Sequence, residues 1–218
     1  MKKFLFGCFA MAALAACSSD DGGSDPITIP EAQFEKGTLA YIKDYIGETA
    51  YNNIVEQGFE LHLGKTPPTI EGVYEINGSR IFKTNVPNDI SVGSSTGPHY
   101  LIISNQDNAN LNVSYSSKHH RSGSNPRVEN NSDEGYPVIS GNGDRFTMVA
   151  KVNSEVGNLN VEGANTIHII SGKKTSEGIV DFQLFVYMVN NHGNTNTFFT
   201  NKKSRVYVDT DGTVEPWD

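Results

Sequence analysis

Two short motifs match the spacing of known catalytic serines. Gly93-Ser94-Ser95-Thr96-Gly97 fits the pattern Gly-x-Ser-x-Gly, which requires a strand before the serine and a helix after it. Pro98 and a strand-like segment follow here, so we interpret the motif as a Gly/Ser-rich loop. Ser171 and Lys174 fit the pattern Ser-x-x-Lys, but they lie between predicted strands rather than at the start of a helix. Neither motif predicts a catalytic nucleophile.

The histidines and carboxylates do not form a metal-binding pattern. His119 and His120 are adjacent, so their side chains would point to opposite faces of a strand. Asp209-x-Asp211-Gly212 resembles the start of a calcium loop, but the other oxygen ligands of such a loop are missing, and we interpret it as a hairpin turn. We predict no catalytic residue, no metal site and no cofactor. The protein is not expected to be an enzyme, and a hydrolase that uses Ser95 or the acids is the least favoured alternative.

One basic cluster stands out in an otherwise acidic chain. It consists of Lys118, His119, His120, Arg121 and Arg127. Such a cluster could bind an anionic sugar, a lipid headgroup or the acidic edge of a partner protein. The alternative is a solvated loop whose charges only aid solubility. We keep these five residues as possible ligand contacts.

Aromatic side chains recur in the predicted strands. Tyr74, Tyr100 and Tyr187 could stack on a sugar ring or line an apolar cavity. Core packing or cross-strand pairing would explain the same residues. We keep the three tyrosines as possible ligand contacts beside the basic cluster.

The charge balance argues against a nucleic-acid partner. The chain has 218 residues, 17 basic and 25 acidic side chains, and a formal net charge of −8. Wrapping nucleic acid requires a concentrated basic face, which this composition does not provide. The length suits one domain with a tail and is enough to bury a core. The 21 glycines indicate a turn-rich chain rather than a helical one.

The first residues resemble a bacterial lipoprotein signal. Lys2 and Lys3 precede an uncharged apolar stretch that is too short to span a bilayer. The stretch ends at Leu14-Ala15-Ala16-Cys17, which resembles the lipobox of Gram-negative lipoproteins. The resemblance implies that residues 1–16 are removed as a signal peptide and that Cys17 carries acyl chains such as palmitate. Because Cys8 is lost with the signal, the mature chain would have no thiol for a disulfide or a zinc site.

Residues 17–29 have the composition of a flexible tether. Ser18 directly after the cysteine fits, by resemblance to enteric lipoproteins, sorting to the outer membrane. Asp20 and Asp21 resemble the short export signals of Bacteroidota-type surface lipoproteins, although a plain tether would have the same composition. We expect a lipid-anchored protein on the cell surface, with a periplasm-facing domain as the alternative.

Residues 30–58 have the only helical periodicity in the chain. Leu39, Ile42 and Ile46 recur at spacings of three and four, with Thr38 placed to cap the start and Gly47 to end the helix. A second short helical segment, from Glu48 to Gln57, follows and ends at Gly58. Because so short a hairpin cannot bury its apolar stripe alone, we expect it to pack on one end or one face of the next domain.

Residues 59–218 form the predicted β domain. Two prolines, Pro67 and Pro68, exclude helix near its start, and the apolar period then changes to two. The strand candidates are Phe59–Leu63, Gly72–Ile76, Arg80–Lys83, His99–Ser104, Leu111–Tyr115, Phe146–Val152, Thr166–Ser171, Val180–Met188 and Arg205–Asp209. Residues 116–135 lack an apolar period and are predicted to be a long loop. Short strands in series without helices between them favour an antiparallel barrel or a sandwich.

One pentapeptide resembles lipocalin-like (calycin) barrels. Ile70-Glu71-Gly72-Val73-Tyr74 is similar to the Gly-x-Trp strand that opens such barrels, with Tyr74 in place of the tryptophan. A short helix before the first strand is also found in that family, whereas its usual C-terminal helix is missing here. The resemblance implies an antiparallel β-barrel preceded by a short helical segment. A β-sandwich is the alternative.

These features favour a non-catalytic binding module at the outer membrane. Its ligand would be a small molecule or a glycan, and its partner in the membrane would be the lipid bilayer itself. The alternative is a structural or accessory subunit of an outer-membrane complex, with a protein partner and no ligand cavity.

Overall fold

The computed structural model describes residues 34–119, 128–132, 137–156 and 163–217, and it is mainly β. Two short helices, α1 (Leu39–Ile46) and α2 (Glu48–Gln57), precede twelve strands. The strands are β1 Lys65–Thr66, β2 Gly72–Ile76, β3 Arg80–Thr84, β4 His99–Asp107, β5 Asn112–His119, β6 Val128–Ser132, β7 Val138–Asn142, β8 Arg145–Val156, β9 Ala164–Lys174, β10 Ile179–Asn190, β11 Ser204–Val208 and β12 Thr213–Pro216.

Eight of these strands close into an antiparallel barrel. Around the ring, the order is β8, β6, β5, β4, β2, β12, β10 and β9, and β9 pairs again with β8. The predicted antiparallel barrel is therefore confirmed, and the sandwich alternative is wrong. A closed ring leaves no unpaired edge among its own strands, which explains why strands without intervening helices can form a stable domain.

Closure of the ring depends on the short strand β12. Val214 and Thr213 pair with the start of β10, while Glu215 and Pro216 pair with β2. Beyond β12, the backbone N–H of Trp217 donates to Val73 O at 2.8 Å. The Trp217 ring meets the edge of Tyr100 on β4, with ring centroids 4.6 Å apart. The hydrogen bond and the aromatic contact therefore attach the residue after β12 to β2 and β4.

Alternating side chains fill the barrel interior. On β8, Phe146, Met148, Ala150 and Val152 are buried in the interior cluster, as the period of two predicts. Val149 faces the other way and belongs to a second buried cluster outside the barrel. β10 shows the same alternation. Phe182 and Leu184 belong to the interior cluster, and Phe185 and Tyr187 belong to the cluster outside the barrel.

The two helices cover the outer wall of β8, β9 and β10. Thr38 caps α1 by accepting a hydrogen bond from Tyr41 N at 3.3 Å, and Gly58 ends α2 in a left-handed conformation. Ile42, Ile46, Ala50 and Ile54 pack in the outer cluster against strand residues. The helical segment therefore covers one face of the barrel, and this covering is why the strands beneath it are apolar on both sides. Val55, which the pattern groups with Ala50 and Ile54, is exposed.

Residues 59–70 lead from α2 to the closed end of the barrel, the end at which β9 turns into β10. The strand predicted at Phe59–Leu63 is not formed, because this segment contacts side chains rather than a neighbouring strand. Phe59 packs on Phe185, and His62 N donates to Thr147 Oγ1 at 2.7 Å. Ile70 then enters the interior cluster, where its carbonyl accepts the Tyr74 hydroxyl at 3.0 Å.

The long loop predicted at residues 116–135 is wrong in part. β5 continues to His119, and β6 pairs with it from Val128 to Asn131. The missing apolar period misled the prediction, because the pairing of β5 with β6 is carried by backbone groups. Residues 120–127 and 133–136 lie outside the described part of the chain.

The chain enters the folded unit at the closed end. Lys36 Nζ donates to Asn110 O at 3.1 Å, on the connection between β4 and β5. Backbone hydrogen bonds join Gly64 N to Gly37 O at 3.0 Å and Gly141 N to Gly64 O at 3.2 Å. In the part of the chain that the structure describes, neither helix has the length and apolar character needed to cross a membrane.

We expect Gly178→Ala to disturb ring closure. A Cβ at Gly178 would lie 2.3 Å from Val214 O on β12, and its φ of +146° already disfavours a side chain. The variant should lose about 1–3 kcal/mol of unfolding free energy, the usual cost of overpacking, and should aggregate more readily because opened edges pair with other chains. Urea denaturation and size-exclusion chromatography measure the two effects.

Gly212→Ala is the matched control. Gly212 also has a positive φ, of +90°, but no atom lies within 4 Å of the position of an added Cβ. Its cost should be limited to backbone strain of about 1 kcal/mol, without aggregation. Equal losses in the two variants would contradict the role of the Gly178–Val214 approach.

Candidate functional site

A cavity of about 310 Å³ lies inside the barrel at the end opposite the closed end. At this cavity end, residues 85–98 connect β3 to β4 and residues 191–203 connect β10 to β11. Both connections contribute to the lining, through Ile90 and Thr96 of the first and Phe198 and Phe199 of the second. The volume equals that of about ten water molecules at ~30 Å³ each, near the lower limit for ligand pockets.

A hydrogen bond across the interior forms the floor of the cavity. Tyr115 of β5 and His168 of β9 both point inward, and Tyr115 Oη lies 3.0 Å from His168 Nδ1. β5 and β9 are not neighbours in the ring, so the contact spans the barrel. His168 lines the cavity, whereas Tyr115 belongs to the buried core cluster. The pair therefore separates the filled part of the interior from the cavity.

Burial keeps both floor residues uncharged at neutral pH. It lowers the pKa of His168 to about 4 and raises the pKa of Tyr115, against the opposing effect of a hydrogen bond from Ser117. Tyr115 therefore keeps its proton and can donate it to His168 Nδ1. In that arrangement the imidazole proton is on Nε2, which makes this nitrogen a donor.

One wall of the cavity carries hydroxyl groups. Ser117 of β5, Ser154 of β8 and Thr166 of β9 are buried and line the cavity together with His168. Thr166 Oγ1 also donates to Val152 O at 3.5 Å. This wall therefore offers hydrogen-bonding groups without a formal charge.

A second part of the cavity lining is apolar. Leu101 of β4 and three residues of β10, Leu184, Val186 and Met188, form it. Phe198 of the β10–β11 connection adds an aromatic side chain at the same cavity. Val186 pairs with His168 and Met188 pairs with Thr166. A ligand would therefore meet hydrocarbon next to hydrogen-bonding groups, and small-molecule sites combine the two in this way.

An ion pair joins the two connections beside the cavity. Arg205 of β11 donates through Nε to Asp89 Oδ2 at 2.9 Å and through Nη2 to Asp89 Oδ1. Thr84 Oγ1 donates to the same carboxylate at 2.6 Å, and the Arg205 guanidinium lies 4.6 Å from the centre of the Phe199 ring. Arg205 therefore links the connection that contains Asp89 to the connection that contains Phe199.

The ion pair is largely shielded from water. The Asp89 side chain is 5% exposed and the Arg205 side chain 20%. Burial opposes ionisation of Asp89, but hydrogen bonds from Arg205 and Thr84 outweigh it and hold the pKa of this carboxyl below its usual value. The Asp89 hydrogen bond likewise outweighs burial and raises the pKa of Arg205. Both groups are therefore charged at neutral pH and neutralise each other.

A buried amide network supports the ion pair from the helix side. Asn53 and Gln57 of α2 are buried, and Ser204 Oγ lies 3.0 Å from Asn53 Oδ1 and 3.2 Å from Gln57 Nε2. Asn85 Nδ2 donates to Asn53 Oδ1 at 2.7 Å, and Asn85 Oδ1 accepts from Ser204 N at 2.8 Å. Because Ser204 precedes Arg205, this network fixes the start of β11 against the β3–β4 connection.

The three predicted tyrosines do not line the cavity. Tyr74 is fully buried near the closed end, and Tyr100 Oη donates to Glu75 Oε1 at 3.0 Å on β2. Tyr187 lies in the outer cluster beneath the helices. The structure therefore places these residues in three different environments, and core packing explains Tyr74 and Tyr187.

The basic cluster falls largely outside the described residues. His120, Arg121 and Arg127 are in that undescribed part, and so is Cys17. Lys118 is exposed near the end of β5, and the backbone of His119 pairs with Val128 and with His99. The described part of the cluster therefore lies at the cavity end of β5.

The two serine motifs lack the local structure that their chemistry needs. Ser95 is exposed and forms an isolated bridge with Arg80, and its hydroxyl donates to Thr96 O at 3.2 Å. Ser171 and Lys174 both lie within β9 rather than at a helix start.

Asp209 and Asp211 form a turn between β11 and β12. Asp209 Oδ2 accepts hydrogen bonds from Asp211 N and Gly212 N at 3.1 and 3.2 Å, as in a hairpin turn. Burial and the Asp211 carboxylate raise the pKa of Asp209 to about 6. Among the described residues, no group of three or more His, Cys, Asp or Glu side chains could hold a metal ion.

A second cavity, of about 360 Å³, lies on the outer wall beside α1. Ile46, Lys151, Asn165 and Val189 are among the residues that line it. Val189 is 45% exposed and points away from the barrel interior. This cavity provides a comparison site for any ligand found on the protein.

Four residues of the cavity floor and of the ion pair beside it were not among the possible ligand contacts selected from the sequence. They are Tyr115, His168, Asp89 and Arg205. One signal was present in the sequence: Thr166 and His168 alternate with Ile167 and Ile169 on β9, so polar residues occupy one face of an otherwise apolar strand. No local sequence pattern indicates that Asp89 pairs with Arg205, because the two residues are far apart in the chain.

Comparisons with known proteins give no relative. No protein-family model, no curated protein and no solved structure matches the chain.

We expect Asp89→Asn to destabilise the protein by about 3 kcal/mol at neutral pH, because breaking a shielded ion pair leaves the Arg205 charge without compensation. The lowered pKa of Asp89 stabilises the fold above the usual aspartate pKa of about 4, and this contribution disappears as the pH falls through the folded-state value. The difference between wild type and variant should therefore shrink at low pH. Denaturant titrations at several pH values measure it.

Asp181→Asn is the control for this prediction. Asp181 pairs with Arg145 at 3.4 Å, but both side chains are exposed, so the loss should stay below about 1 kcal/mol. A loss in Asp89→Asn no larger than in this control, or one independent of pH, would contradict the role given to the Asp89–Arg205 pair.

Proposed function

We propose that the protein is a lipid-anchored, non-catalytic binding module whose barrel cavity holds a small ligand. The cavity lined by apolar side chains of β10 and by polar side chains of β5, β8 and β9 carries this proposal. It is preorganised, because the Tyr115–His168 contact fixes its floor and the Asp89–Arg205 pair fixes the connections beside it. The likeness of residues 70–74 to the first strand of lipocalin-like barrels supports the same function.

Buried polar groups are the specific reason to favour ligand binding over a purely structural barrel. Ser117, Ser154, Thr166 and His168 are buried side chains beside a cavity rather than in a filled core. Small-molecule sites place a few hydrogen-bonding groups in this way to orient a ligand within an otherwise apolar pocket. A barrel that served only as a scaffold would be more stable with apolar residues at these positions.

The lipid anchor is the second part of the proposal. The lipobox-like segment that ends at Cys17 supports an outer-membrane lipoprotein, and the tether after it supports exposure at the cell surface. A periplasm-facing domain stays the alternative, and protease treatment of intact cells distinguishes the two locations.

An accessory role in an outer-membrane complex is the second candidate function. Ile90 and Val92 of the β3–β4 connection are 50% and 61% exposed, which favours contact with another protein at the cavity end. Pull-down from solubilised membranes with the wild type and with Val92→Asp would test it, because a charge at this position should reduce capture of a partner that binds there.

Native mass spectrometry tests ligand binding directly. Residues 18–218, produced without lipid and purified from bacteria, contain the whole compact unit Gln33–Asp218. We expect a stoichiometric adduct that is lost on denaturation and whose mass gives the ligand class. A bare mass together with failure to take up small molecules added in vitro would argue for the accessory role.

We expect Val186→Phe to abolish the adduct by filling the cavity. Val186 lines the cavity on β10 and is only partly buried, so the larger side chain can occupy the available space. Val189→Phe on the outward face of the same strand is the matched control, and the adduct should persist in it. Loss in Val189→Phe alone would place the ligand in the outer cavity, contrary to the proposal. Thermal unfolding of both variants verifies that they are folded.

We expect Cys17→Ser to prevent incorporation of radiolabelled palmitate and to leave the precursor unprocessed, because a hydroxyl does not replace the thiol that accepts the diacylglyceryl group. Cys8→Ser is the control, and it should still be labelled and processed. Labelling of the Cys17→Ser protein would refute the lipoprotein assignment without bearing on the cavity.

A further inference from the structure

Among the described lining residues of the cavity, no Lys, Arg, Asp or Glu charge is left uncompensated. Arg205 is the one lysine or arginine among the described lining residues, and Asp89 neutralises its charge through two hydrogen bonds. No carboxylate is among those residues. His99, which also lines the cavity, has its Nδ1 3.3 Å from Ser79 Oγ. A charged ligand would lose its hydration without gaining a counter-ion, which is costly at a buried site.

His168 provides a directional hydrogen-bond donor at the cavity floor. Its Nδ1 faces Tyr115 Oη at 3.0 Å, and this contact orients the ring. With the Tyr115 proton donated to Nδ1, the other ring nitrogen carries a proton. Because His168 itself lines the cavity, an oxygen acceptor on a bound molecule can reach the ring. Ser117, Ser154 and Thr166 add hydroxyls around the same position.

We propose that the cavity selects an uncharged amphipathic molecule, whose hydroxyl or carbonyl oxygen accepts a hydrogen bond from His168 Nε2. Its hydrocarbon part lies against Leu184 and Val186 on the adjacent strand β10, where Val186 pairs with His168. Its size is bounded by the cavity volume of about 310 Å³. This inference rests on the proposed function and adds the chemical class of the ligand and its specificity-determining residue.

Four probes with one hydrocarbon body test the selection. They are 4-phenyl-1-butanol, 4-phenylbutyrate, 4-phenylbutylamine and butylbenzene, which carry a hydroxyl, a negative charge, a positive charge and no polar group. Titration calorimetry or chemical-shift titration at pH 7 with residues 18–218 gives their affinities. We expect the alcohol to bind at least about tenfold more tightly than either ion, and several-fold more tightly than butylbenzene.

Two variants of His168 assign the selection to this residue. His168→Met keeps a similar volume without a donor, so the alcohol should lose about tenfold in affinity while butylbenzene binding stays unchanged. His168→Gln supplies an amide that can accept from Tyr115 and donate to the ligand, so it should restore most of the alcohol affinity. A merely structural role for His168 would lower the affinities of both probes together.

A measurement on the wild type avoids dependence on the folding of these variants. In ¹⁵N-labelled protein, the imidazole spectrum should show the Nε2-protonated tautomer, and the Nε2–H resonance should shift on titration with the alcohol but much less with butylbenzene. An Nδ1-protonated ring, or equal shifts with the two probes, would overturn the inference.

The outcomes separate the inference from the proposed function. Binding of the carboxylate or the amine as tight as that of the alcohol overturns the neutral-ligand inference but leaves a binding module, provided that Val186→Phe abolishes the binding. Equal binding of butylbenzene and the alcohol overturns the role of His168. Binding of none of the four probes rejects the inference, and if native mass spectrometry also gives a bare mass, the proposed function fails with it.

Discussion

Closure of the eight-strand ring is the constraint on which the interior depends. β12 completes it with two residues paired to β10 and two paired to β2. While the ring is closed, the described inward side chains face a common interior, which hydrocarbon fills at one end and which contains a cavity at the other. Without that pairing, the inner face would become one side of an open sheet with two exposed edges.

The contact between Tyr115 and His168 divides this interior by chemistry. On the closed side, Tyr74, Phe146 and their neighbours pack into the interior cluster. On the cavity side, hydroxyl and imidazole side chains occupy some of the inward positions that apolar side chains occupy at the closed end. Buried polar groups cost stability unless they are hydrogen-bonded, and the crossing contact satisfies two of them at once. The same contact that completes the core therefore prepares the floor of the site.

The sequence predicts the parts of the fold that leave a local pattern. The period of two on β8, the helix caps at Thr38 and Gly58, and the series of strands predict a helical segment followed by an antiparallel barrel or sandwich. The likeness of residues 70–74 to lipocalin-like barrels favoured the barrel. The candidate site depends instead on pairs that are distant in the chain, such as Asp89 with Arg205, and no local periodicity encodes them. β6 was missed for a related reason, since pairing through backbone groups needs no apolar alternation.

The attachment of residues 36–37 at the closed end has a consequence for substitutions there. The bonds from Gly64 to Gly37 and from Lys36 to Asn110 place the first described residues at the opposite end of the barrel from the cavity. Residues 36 and 37 are therefore held by the β4–β5 connection and by Gly64, and they contribute nothing to the lining of the cavity. Substitutions in this short segment would act on the stability of the filled end of the barrel and leave the chemistry of the ligand pocket unchanged.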